Sequence, residues 1–127
     1  MNTKSIENLT KVASKLKDLV FMINQEFPIE VICGYRGEEE QNYAFNSGKS
    51  KLKYPDSKHN KSPSQAVDIV PRGTYFSDIN AFYVIYGIAL VKAKELGIII
   101  RWGGNWNSDF NFKDNRFNDL VHYEIVT

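Results

Sequence analysis

SKHNKSPSQAVDIVP, residues 57–71, is the stretch from which the rest of the chain can be read. Its first nine residues are polar, contain Pro63 and show no apolar period, so residues 50–65 as a whole read as a loop. AVDIV then reads as a short β-branched strand, with Asp68 projecting away from Val67 and Ile69. An aspartate inside such a strand is costly if buried without a partner, so it calls for a cation, a donor network or solvent.

On the N-terminal side, Ile6, Leu9, Val12, Ala13, Leu16, Leu19, Val20 and Ile23 follow the spacing of one helix face and predict a single first helix ending before Pro28. IEVICGY reads as a strand closing at Gly34, and GEEEQNYAFNSGKS as a short helix. That helix has acidic residues at its start and Gly48 behind it as a left-handed cap. On the other side, Ser77 or Asp78 can cap INAFYVIYGIALVKAKEL, apolar nearly all round and stopped by Gly97, as expected of a buried central helix. IIIRW and LVHYEIV read as strands, separated by a long polar and aromatic loop. The order of elements predicts an α+β fold, a small, mainly antiparallel sheet packed against helices.

The 127 residues are 43% hydrophobic, enough for one core, and a single domain over 1–127 with no separate binding module is expected. Sixteen basic against 15 acidic residues leave a net charge of +1, which gives no reason to expect nucleic acid as a partner. The lone Cys33 excludes an internal disulfide. Neither a secretory leader nor a membrane anchor is visible, so synthesis in the cytosol is expected.

Only two histidines exist, His59 at the end of the loop and His122 in the last strand, opposite Val121 and Tyr123. With Asp68 they make two imidazoles and one carboxylate, a set that leaves a fourth position free for water, as in catalytic zinc sites. A lone strand histidine is otherwise an ordinary half-buried side chain. The acidic run Glu38, Glu39 and Glu40 is explained by the helix dipole alone. Asp109, Asp114 and Asp119 lack the alternation of a calcium loop.

The segment 57–71 resembles the Ser-x-His…Ala-x-Asp signature of the zinc D-alanyl-D-alanine carboxypeptidases and the phage L-alanyl-D-glutamate endopeptidases. CGYRGEEEQ, with Arg36, and RWGGNW followed by Asp119-Leu-Val-His122 resemble further segments of the same family, in family order, over residues 30–126. The longer loop between His59 and Asp68, and aspartate at position 119, lie nearer the phage endopeptidases. The resemblance implies a hedgehog/DD-peptidase-like fold and Zn2+ held by His59, Asp68 and His122. It implies Asp119 as catalytic base, Arg36 as a holder of a substrate carboxylate or the oxyanion, and Ser57 as a substrate-binding or loop-orienting hydroxyl. Glu124 shares the strand face of His122 and reads equally as a residue behind the ligand or as a solvated edge. The implied substrate is the stem peptide of bacterial peptidoglycan, cut between L-alanine and D-glutamate by a monomeric endolysin once the membrane has been permeabilised. The alternatives are a D-alanyl-D-alanine carboxypeptidase and a non-catalytic, metal-stabilised wall-binding module.

Overall fold

The computed structural model describes residues 1–111, 113 and 118–126. Its elements run α1 (Thr3–Leu9), α2 (Ser14–Glu26), β1 (Ile29–Cys33), α3 (Glu38–Asn46), a 3-10 turn (Lys58–Asn60), β2 (Ala66–Pro71), α4 (Ile79–Leu96), β3 (Ile100–Gly103) and β4 (Asp119–Ile125). The four strands form one antiparallel sheet in the order β1-β2-β4-β3. The fold is α+β, as the sequence predicts.

The alternation of side chains along each strand divides the sheet into two faces. Val31, Val67, Ile69, Trp102, Val121 and Tyr123 are buried in one core with Leu16, Leu19, Val20 and Ile23 of α2 and Phe82, Ile85 and Ala89 of α4. On the other face, Asp68 stands directly opposite His122 and Ala66 opposite Glu124. An irregularity between Val31 and Cys33 turns Ile32 outward and brings Cys33 opposite Asp68.

Two expectations are corrected. The first helix is two helices, because residues 10–13 leave the helical path to pair with the loop: Ser64 N donates to Lys11 O at 2.7 Å and Ala13 N to Ser64 O at 2.9 Å. Val12 still reaches the core at 4% exposure, so the apolar spacing runs unbroken through the interruption, whereas Ile6 is 46% exposed. The second correction is that α4 is not buried all round. Ala81, Phe82, Ile85, Tyr86, Ala89 and Ala93 face the core, while Ile79, Val84 and Val91 are exposed.

The caps follow the sequence. The Asp78 side chain accepts from Ala81 N at the start of α4, and Gly97 takes the left-handed conformation after it at φ 70°. Gly48 does the same behind α3 at φ 84°. No helix among the described residues is long and apolar enough to cross a membrane.

Candidate active site

His59, Asp68 and His122 converge on the polar face of the sheet. β2 and β4 deliver Asp68 and His122 as cross-strand neighbours, and the 3-10 turn delivers His59. Asp68 Oδ1 lies 3.1 Å from His59 Nε2 and 3.3 Å from His122 Nδ1, and the two rings meet edge to face at 5.1 Å. All three residues are buried.

The outer nitrogen of each ring is tied down. His59 Nδ1 lies 2.7 Å from the Gly34 carbonyl, an oxygen that can only accept, so this nitrogen carries a proton and Nε2 is left to face Asp68. His122 Nε2 lies 2.8 Å from the Glu124 carboxylate, which likewise leaves Nδ1 facing Asp68. Glu124 is itself flanked by Lys58 at 3.8 Å and Arg101 at 3.6 Å. Of the two readings its place in the sequence allowed, the structure selects the residue behind the histidine. Gly34 itself packs against α1, where a Cβ would lie 2.0 Å from Asn8 O, so the absence of a side chain lets the backbone that carries the carbonyl facing His59 sit where it does.

Three acceptor atoms turned toward one another need positive charge between them. Without a cation, protons supply it. Burial opposes an imidazolium at His59, but the Asp68 carboxylate outweighs it and raises the group to about 10. Burial opposes the charge on His122 too, and its bonds to Asp68 and Glu124 raise it nonetheless. Asp68, despite its burial, is held well below the usual carboxylate range by the two histidines. A cation held by His59 Nε2, Asp68 and His122 Nδ1 would satisfy the same three atoms, and this donor set fits zinc chemistry. Among the described residues, ligand atoms lie within 4.8 Å of one another in two sets, Asp68 with Asp119 and His122, and Cys33 with His59 and Asp68, so the two histidines are joined through the Asp68 that both sets share. The set with Cys33 fits less well, because its sulfur lies 3.7 Å from His59 Nδ1, the nitrogen committed to Gly34.

Asp119 opens β4 beside this cluster. Burial and then the neighbouring Asp68 charge push its carboxyl up to about 6, which poises it to exchange a proton near neutrality. Its backbone sits against Gly103, where a Cβ would come 2.0 Å from Asp119 O. Arg36 reaches Asp68 Oδ2 at 3.4 Å, and its other terminal nitrogen donates to Gln41 Oε1 at 3.1 Å. Ser57 caps the 3-10 turn, accepting from His59 N at 3.2 Å, while Asn60 Oδ1 accepts from Ser57 N. Arg36, Ser57, His59, Asp68, Asp119 and His122 all line one cleft of about 780 Å³.

The sequence profile of the phage L-alanyl-D-glutamate peptidases matches residues 1–126. The chain belongs to that family. Among solved structures, the peptidase is similar to the Serratia marcescens L-Ala D-Glu endopeptidase ChiX, with TM-score 0.78 and 25% identity over 99% of this chain and 89% of that one. It also shares its fold with the LdcB LD-carboxypeptidase, with TM-score 0.53 and 18% identity over 91% of this chain and 59% of that one. No curated protein sequence matches the peptidase.

All six site residues singled out in the sequence of the peptidase thus come to one cleft, and none is displaced from it. Of the acidic residues set aside, Asp114 lies outside the described residues. Gln41 escaped notice. It is fully buried, holds Arg36 and Asn60 through its oxygen, and donates to Ser50 Oγ and Leu52 O. The available signal was a polar residue on the same side of α3 as the buried Ala44, three positions on. Trp106, given no role from sequence, packs its ring against His122 at 5.3 Å.

Proposed function

We propose that the peptidase is a zinc-dependent endolysin that hydrolyses the bond between L-alanine and D-glutamate in the peptidoglycan stem. The observation carrying this reading is the convergence of His59 Nε2 and His122 Nδ1 on Asp68 Oδ1, with both outer ring nitrogens tied. Membership of the peptidase family and the likeness to ChiX support the choice of bond. Zinc held by His59, Asp68 and His122 would supply Lewis acidity and lower the pKa of a bound water toward ~7.

The protein groups around that position do the rest. Asp119, with its carboxyl near 6 in the metal-free centre, takes the proton of the attacking water on its carboxylate and returns it to the departing D-glutamate nitrogen. D-Glutamate is joined onward through its side-chain carboxyl, so its α-carboxylate remains free beside the bond being cut. Arg36, oriented by Gln41, holds that carboxylate by a charge-assisted hydrogen bond. Ser57 fixes the turn that carries His59. The protein acts as a monomer, on the wall, after synthesis inside the host.

Digestion of purified peptidoglycan followed by mass spectrometry tests this reading. The expected products carry new amino groups on D-glutamate and lactyl-alanine on the glycan. Free D-alanine as the main product would make the protein a carboxypeptidase instead, and no released amine would favour the binding module. Asp119→Asn should bind zinc like the parent and lose on the order of 10²-fold or more in turnover, since the amide cannot take a proton. Parent-like turnover in that variant would remove Asp119 from the mechanism.

A further inference from the structure

A second cavity of about 600 Å³ adjoins the cleft and shares Ile32, Arg36, Lys49 and Asp68 with it. The two therefore form one groove that continues past Arg36 along α3. The extension carries charges of both signs: Glu39 and Glu40 from the first turn of α3, and Lys49 from the chain just after it. Neither carboxylate nor the Lys49 ammonium forms an ion pair among the described residues. Ile32 and Tyr43, 42% and 70% exposed, add apolar surface to the lining.

Position along the groove says which part of a stem would lie there. This step rests on the reading of Arg36 as holder of the D-glutamate carboxylate. If Arg36 takes the residue just after the cut, the stem's next residue enters the extension. That third residue is a diamino acid in bacterial walls. In one wall type it is lysine, whose side chain ends in an ammonium alone. In the other it is diaminopimelate, whose side chain ends in an ammonium and a carboxylate on the same carbon.

We propose that the groove beyond Arg36 is a specificity subsite for a zwitterionic third residue, with Glu39 and Glu40 facing its ammonium, Lys49 its carboxylate, and Ile32 and Tyr43 its methylene chain. A lysine stem satisfies the carboxylates and leaves Lys49 without a partner, so discrimination falls on Lys49. An aliphatic segment with a charged pair at its tip suits a groove whose lining combines apolar surface with charges of both signs.

The test uses two synthetic stems, acetyl-L-alanyl-γ-D-glutamyl-diaminopimelate and its L-lysine counterpart, with the zinc-loaded protein. The diaminopimelate peptide should be cut with a kcat/KM on the order of five- to tenfold higher, the scale expected of one partly exposed charge pair. Lys49→Met should abolish the preference by raising KM for that peptide alone. Glu39→Gln with Glu40→Gln should raise KM for both peptides. All three side chains are exposed, and thermal unfolding of each variant should match the parent. Equal efficiency on the two peptides, or a Lys49→Met effect shared by both, overturns this inference and leaves the parent reading intact. Hydrolysis of neither peptide at the alanyl-glutamyl bond means that the parent reading itself has failed, and the subsite with it.

Discussion

Glu124 shows how much of the proposed metal centre lies behind its candidate ligands. Its carboxylate meets His122 Nε2 at 2.8 Å, and Lys58 and Arg101 keep the carboxylate charged. Burial opposes that charge, and the bond to His122 together with the basic neighbours holds the Glu124 carboxyl below its ordinary range. Glu124→Ala should therefore lower zinc affinity about 10- to 100-fold, read by competition with a chelator, while the far-ultraviolet dichroism stays that of the parent. Unchanged affinity would show that the ring needs no such support. At this scale the sequence was legible where residue types were scarce. Two histidines and one aspartate interrupting an apolar strand had few other uses, and the strand period set their direction. Glu124 was ambiguous because a strand face does not say whether another element covers it. Gln41 was hidden among acidic neighbours, since its burial comes from the loop at Ser50 and Leu52 folding over it.

Among the elements, β3 and β4 meet closely at Gly103 and Asp119. A methyl group at position 103 would collide with backbone, which cannot swing aside as a long side chain does. Gly103→Ala should cost on the order of 1–3 kcal/mol in denaturant unfolding. Because any relaxation moves the start of β4, it should also lower peptidase activity in the fraction that remains folded. A variant as stable and as active as the parent would mean that the two strands can part at this point without consequence. The interruption between α1 and α2 teaches the opposite lesson. The apolar spacing passes through residues 10–13 without a glycine or proline to mark the break. What breaks the helix is pairing with Ser64, some fifty positions away, and a periodicity read along the chain cannot register so distant a competitor. The exposed side of α4 was illegible for a related reason: an apolar helix in sequence does not reveal how many neighbours the sheet will offer it.

For the molecule as a whole, the proposed zinc site makes protons and metal competitors for one place, and stability should report the competition. His59 rises from an ordinary 6.5 to about 10 in the folded, metal-free protein. A raised group contributes stability that is complete below its unfolded value and is lost as pH climbs through the folded one. Metal-free protein should therefore weaken from about pH 6.5 upward. Zinc needs the imidazoles deprotonated, so its grip strengthens over the same interval. The gap in melting temperature between zinc-loaded and metal-free protein should widen from about pH 6 to about pH 9 at fixed free zinc. A constant gap would take the imidazoles out of the ligand set. The pairing of Asp68 with His122 across β2 and β4 has a practical corollary. A slip of one residue sends every second side chain through to the opposite surface. A chain assembled one step out of alignment would thus be chemically silent rather than impaired, its carboxylate and imidazole pointing into oil. In a preparation recovered from denaturant, activity per milligram counts the molecules whose strands paired in the right alignment, a tally that dichroism and sedimentation cannot make.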